Sequence, residues 1–183
     1  MTNAEGPHSS GSTQSGAAGR RDRDRQAAAA GATAPSPPGL DGNHSKVIRR
    51  GADFTWHGVD IEPYKATTEH RKGITRRELS GKRGESQAFH VRYFEIEPGG
   101  YSTLEQHRHE HVVIPLRGRG EAQFGCYIYE VGMGDIVYVA PNDPHQFRNA
   151  EDATEPFGFL CIVNAERDTP IAVDGGGVCW VCE

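Results

Sequence analysis

The sequence predicts an all-β fold of short antiparallel strands, closed into a sandwich or barrel and preceded by a disordered tail. Two observations carry this expectation. From about Lys46 onward, short runs rich in Val, Ile, Tyr and Phe alternate with Gly, Pro and Asp turns, and no helical period of apolar residues develops. Before that point the chain is mostly Gly, Ala, Ser and Pro, with almost nothing large to bury. At 183 residues there is room for one ordinary domain and not for two comfortable ones.

Residues 1–45 are therefore read as a solvated tail. Arg20, Arg21, Arg23 and Arg25 are balanced there by Glu5, Asp22, Asp24 and Asp41, and so small an apolar content cannot recover the entropy of ordering. The stretch from Gln26 to Ala34 has the small residues of a secretory signal but no Leu, Ile, Val or Phe, and the acidic residues argue against a transit peptide. No run approaches the roughly 20 apolar residues of a membrane span. A cytoplasmic protein without a membrane partner is the expectation.

Residues 46–172 are assigned to the folded domain. Gln87 to Glu97 reads as a strand that stops at Pro98-Gly99-Gly100. Leu104 to His109 and His111 to Leu116 follow, then Glu121 to Phe124, Cys126 to Glu130, Ile136 to Val139 and Gln146 to Asn149. Gly158 to Asn164 is apolar enough for a buried strand, and Glu166 to Pro170 reads as a turn. Many short strands with Gly-rich turns and almost no helix mean an antiparallel sandwich or barrel. Thr75 to Leu79 is read as a short strand or turn, and the basic strip Arg71, Lys72, Arg76, Arg77, Lys82, Arg83 as a solvated loop. With a net charge of −5, wholesale nucleic-acid binding is not expected.

The four cysteines are too few for a disulfide scaffold. Cys126 falls at a hairpin tip, and Cys161 in Phe-Leu-Cys-Ile-Val reads as a small buried hydrophobe, with a place facing the barrel interior near the metal as the alternative. Cys179 and Cys182 lie in residues 173–183, read as a C-terminal tail; one Cys-x-x-Cys is only half of a zinc site.

Three histidines fall within five residues: His107, His109 and His111. On an extended strand Glu105, His107 and His109 share a face. Imidazoles and a carboxylate turned into a barrel are costly without a partner, and a metal ion is the usual one. The competing reading is a surface strand whose histidines face water.

Pro98 to Gly120 and Gly134 to Asn149 resemble the two sequence motifs of the cupin superfamily. The first has glycine, His-x-His, a glutamate a few residues on and a further glycine. The second is carried here by Gly134-Asp-Ile-Val-Tyr-Val-Ala-Pro-Asn-Asp-Pro-His145-Gln-Phe-Arg-Asn149, with Ala140 at the family's proline and Asn142 at its glycine. The resemblance spans residues 89–164. It implies a small single-domain, metal-binding cupin, which is an antiparallel double-stranded β-helix, or jelly roll, usually homodimeric.

Counting back from Gly118, the resemblance implies that His107, His111 and His145 bind metal, with Glu105 standing where the family has its first histidine. Histidine at the position of His111 also occurs in small one-domain cupins. A second register uses His109 in the ligand set. Where His109 is not a ligand it stands behind one, faces substrate or is simply exposed. A metal-free barrel is the third reading. The ion implied is one divalent transition metal, Fe, Mn, Ni, Cu or Zn, and affinity does not choose among them.

Such a site suits a dioxygenase acting on a small organic substrate, with Glu105 as a candidate base. It equally suits a non-redox isomerase or lyase in which the ion is a Lewis acid. A ligand-binding or sensor protein without turnover is the remaining alternative, because fold does not determine chemistry. Phe54 to Tyr64 is the candidate contact for a second copy of the chain.

Overall fold

The computed structural model describes residues 39–65, 70–85 and 87–174. Most of the predicted N-terminal tail, and Cys179 and Cys182, lie outside the described residues. Leu40 and Gly42 are described, and Lys46 binds both their carbonyls together with the Glu85 carboxylate.

The described elements are all strands: β1 (Glu62–Pro63), β2 (Lys72–Ser80), β3 (Phe89–Tyr101), β4 (Glu105–Gln106), β5 (His111–Arg117), β6 (Arg119–Phe124), β7 (Tyr127–Gly132), β8 (Val137–Val139), β9 (His145–Arg148), β10 (Phe157–Asn164) and β11 (Ile171–Ala172). They form one curled antiparallel sheet in the order β11-β4-β9-β3-β10-β5-β8. β1 and β2 are added at β3, and the β6–β7 hairpin at β9. The fold is the expected jelly-roll barrel.

β3 is the spine. It pairs with β10 from Phe89 to Ile96 and with β2 along its length, and it reaches β9 through Tyr101 and Arg148. The expected stop at Pro98 is not a stop. Gly99 takes φ +68°, its N–H donates to the Ala150 carbonyl at 2.9 Å, and the strand resumes to Tyr101. Gly100 permits this bend, since a Cβ there would lie 2.7 Å from the Lys72 carbonyl oxygen. The Pro-Gly-Gly run turns one strand from one set of neighbours to another.

The basic strip is not a solvated loop. Arg76 and Arg77 lie within β2, a nine-residue strand. Arg77 and Glu78 are buried, and the charges are matched: Arg77 to Glu95 at 3.5 Å, Arg76 to Glu78 at 3.1 Å, Lys82 to Glu78 at 3.0 Å. Ion pairing between elements lets a sequence that reads as polar loop occupy the sheet.

Side chains of β3 alternate between two faces. Phe94 and Ile96 point into the core with Val113, Val139, Phe147, Phe157, Phe159 and Val163. Tyr93 and Glu95 point the other way. There Phe54 stacks on Tyr93 (5.6 Å between centroids, 7° between planes) and Trp56 sits at 4.8 Å. Within the segment from Phe54 to Tyr64, Trp56 makes isolated bridges to Arg50 and Val59, Glu62–Pro63 pairs with β2 as β1, and Phe54, Trp56 and Tyr64 pack against Tyr93 and Phe94. Among the described residues, no helix is long and apolar enough to cross a membrane.

Candidate metal centre

β4 and β5 frame the first part of the site. Between them the chain bends at Arg108 and His109, so His107 and His111 face one another instead of trailing along one strand. Asp168 holds the bend. Its carboxylate accepts the backbone N–H of Arg108 (2.9 Å) and of His109 (3.1 Å), and the Nδ1–H of His109 (2.8 Å). These donors keep Asp168 well below the usual carboxylate range. The Asn142 N–H ties the second motif to the same bend, donating to the His107 carbonyl at 2.7 Å. Asn142 has φ +65°, which explains asparagine where the family motif has glycine. His145 then enters from β9, opposite Glu105 of β4.

One ligand atom from each of His107, His111 and His145 lies within 4.8 Å of the others. All three are buried. Their tautomers are set from behind: His107 Nδ1–H donates to the His109 carbonyl at 2.7 Å, and His145 Nδ1–H to the Asp143 carbonyl at 2.9 Å. That leaves the Nε2 lone pairs of both rings free, and His111 Nε2 lies 3.3 Å from His145 Nε2.

Burial, then the neighbouring histidines, lowers His107 to a pKa of about 4. The same causes hold His111 well below its ordinary value, and burial lowers His145. Near neutrality the cluster is therefore three uncharged imidazoles with converging lone pairs. Neutral imidazole is what a divalent transition ion requires, so the three residues can hold one.

The other expected site residues lie beside this trio. Glu105 is buried and lines the same cavity; Tyr64 donates to its Oε1 at 3.1 Å, and Lys65 forms an ion pair with its Oε2. Burial, then Glu105, raises the Tyr64 hydroxyl well above its usual value, so it stays a donor. His109 stacks on His107 (3.6 Å, 4°) while bound to Asp168. Cys161 is buried and faces inward, its Sγ 3.4 Å from His111 Nδ1 and 3.2 Å from Arg92 Nη2.

The cavity measures about 210 Å³, with Phe94, Phe147 and Phe159 as its apolar wall. Lys65, Arg76, Arg92 and Arg167 also line it, and none of these was singled out from sequence as a site residue. The available signal was that Arg92 lies two residues before Phe94 on β3 and so shares its face, once Phe94 is known to face inward.

The Cupin domain model of the Cupin_2 family matches residues 92–163. A 1-methylthio-D-xylulose 5-phosphate methylsulfurylase from Rhodospirillum rubrum is 42% identical over 132 residues, which are 71% of this chain and 82% of that protein. A cupin-2 domain crystal structure from Rhodospirillum rubrum aligns with TM-score 0.61 and 41% identity, over 69% of this chain and 84% of its own. A cupin 2 conserved barrel domain protein from Rhodopseudomonas palustris aligns with TM-score 0.64 and 39% identity, over 70% and 87%.

Proposed function

This chain belongs to the cupin family, and on that premise we propose that it is a metal-dependent, non-redox enzyme acting on a small methylthio-substituted ketose phosphate. The observation that carries the reading is the coincidence of the buried three-histidine cluster with 42% identity to a protein named for that substrate class. Family membership alone would leave the chemistry open. The relative's name describes a methylsulfurylase, and this favours the non-redox alternative over a dioxygenase.

In this reading His107, His111 and His145 hold one divalent transition metal, with Glu105 as the carboxylate beside them. When bound, the ion supplies Lewis acidity toward a carbonyl and its neighbouring hydroxyl. The rest of the work falls to side chains. Glu105 moves a proton beside the ketone, and Tyr64 and Lys65 hold its two oxygens in place. His109, braced by Asp168, keeps the His107 ring in position through their stacked faces. The aromatic wall excludes water from the reacting carbons.

The test is an assay of C–S bond cleavage in 1-methylthio-D-xylulose 5-phosphate, followed by the S-methyl proton resonance. It uses metal-loaded protein in oxygen-free buffer with a small thiol, which takes the methylthio group as a mixed disulfide while the carbon that loses sulfur takes the thiol's proton. Turnover without oxygen, abolished by a chelator, is expected. Turnover that requires O₂ and consumes it in step with substrate would replace this reading with the dioxygenase one.

A further inference from the structure

The cavity is lopsided in charge: four cations, Lys65, Arg76, Arg92 and Arg167, line it against one carboxylate, Glu105. Two of the cations are accounted for. Lys65 pairs with Glu105, and Arg76 with Glu62 at 2.8 Å and Glu78 at 3.1 Å. Among the described residues, Arg92 and Arg167 have no carboxylate within ion-pairing distance.

Arg92 donates from Nη2 to Cys161 Sγ at 3.2 Å and lies 5.1 Å above the Phe94 ring, and its buried Nε has no hydrogen-bond partner. Arg167 donates from Nη1 to the carbonyls of Asn164 (3.1 Å) and Ala165 (3.4 Å), and meets His90 Nδ1 at 3.3 Å. Glu78, the carboxylate whose field reaches both, is already held by Arg76 and Lys82.

A guanidinium kept from bulk water without a counter-charge is costly, and two facing one cavity repel each other. A bound dianion relieves both costs. The two groups arrive from different elements, β3 and the segment after β10, so they can grip different oxygens of one tetrahedral group. A carboxylate, with two oxygens in one plane, is matched by a single guanidinium fork. Arg92 also sits close to the histidines, with steps of 3.4 and 3.2 Å leading from His111 through the Cys161 sulfur, and Arg167 lines the same cavity.

We propose that Arg92 and Arg167 bind the phosphate monoester end of a small substrate whose other end lies against His107, His111 and His145. The assignment deepens the proposed function and rests on it for the identity of the sugar. It also explains the geometry, since the phosphate fixes which carbons reach the histidines and a short chain bridges the two.

The probes are xylulose 5-phosphate, xylulose and inorganic phosphate, each titrated calorimetrically into the metal-loaded full chain. The same titrations are run on Arg92→Gln, Arg167→Gln and Arg119→Gln. Arg119 is the control, exposed on β6 and paired with Glu130. Xylulose 5-phosphate should bind the unsubstituted chain at least roughly ten-fold tighter than either other probe, and each cavity substitution should remove roughly ten-fold or more of that affinity. Arg119→Gln should change nothing. Should Arg92→Gln fail to fold, the half-buried Arg167 decides the matter.

Equal binding of xylulose and its phosphate, inorganic phosphate binding as tightly as the sugar phosphate, or cavity variants that bind like the unsubstituted chain would each overturn the assignment. The two readings fail separately. Arginine-dependent binding without C–S cleavage keeps this site and removes the enzymatic reading. Cleavage whose KM ignores both arginines does the reverse.

Discussion

The two faces of β3 each carry a buried polar cluster, and they are built on opposite plans. On the outer face Glu95 is saturated: Tyr93 donates to it at 2.9 Å, Arg117 at 3.1 Å and Arg77 at 3.5 Å, with Phe54 and Trp56 closing over the tyrosine. The charges there are paired within the chain, although the buried Arg77 Nε has no hydrogen-bond partner. On the inner face Arg92 lies near three neutral imidazoles, donates to the Cys161 sulfur, and has no carboxylate partner among the described residues. A charge paired within the chain stabilises it, whereas a guanidinium kept from water with no counter-charge is costly.

The largest effect that separates the two faces is metal retention. His107→Ala, His111→Ala and His145→Ala should each drop bound metal, measured by elemental analysis, from near one per chain to under about a tenth, since a three-donor site rarely survives loss of a ligand. Glu95→Ala should leave metal content unchanged. A His111→Ala protein that keeps its metal would show that the inner trio is not the donor set.

Next in size is the cost of breaking the outer cluster. Glu95→Ala strands the buried Arg77 guanidinium and should lower unfolding stability by about 3 kcal/mol in a urea titration. Tyr93→Phe removes one donor of three and should cost about 1 kcal/mol. Equal effects from the two substitutions would mean that the outer face is not organised around the carboxylate.

The smallest effect sharpens the comparison through pH. The folded pKa values of His107, His111 and His145 are depressed, that of His107 to about 4, below the ordinary value of 6.5. Between those limits the unfolded chain binds more protons than the folded one, so this contribution to stability is complete above pH 6.5 and is lost as pH falls toward 4. Urea midpoints of the metal-free protein should decline over that window. The triple alanine variant should decline less, and an identical slope would remove the histidines as the cause.

What was legible in the sequence followed local pattern. The strands at Phe89, His111 and Gly158 announce themselves by β-branched and aromatic runs, and the second motif places His145 and Asn149 at motif spacing. Asn142 is the sharpest case, since its departure from glycine already specified the backbone angle it takes. What was not legible depended on partners far away in sequence. Beyond a short strand or turn at Thr75 to Leu79, the extent of β2 is hidden until Glu95 is set beside Arg77, and the packing of Phe54 and Trp56 on Tyr93 follows from the fold alone. Arg92 and Arg167 are unremarkable as residues, and only the topology reveals that both line the cavity of the three histidines.

Asp168 joins parts that need not have been joined. It latches the bend carrying His107 and His109 to the stretch that carries Arg167, through one carboxylate and three N–H groups. The stretch after β10 is thereby a strut: one carboxylate couples the bend of the histidines to the wall that carries Arg167, so Asp168→Ala would loosen two sides of the cavity at once.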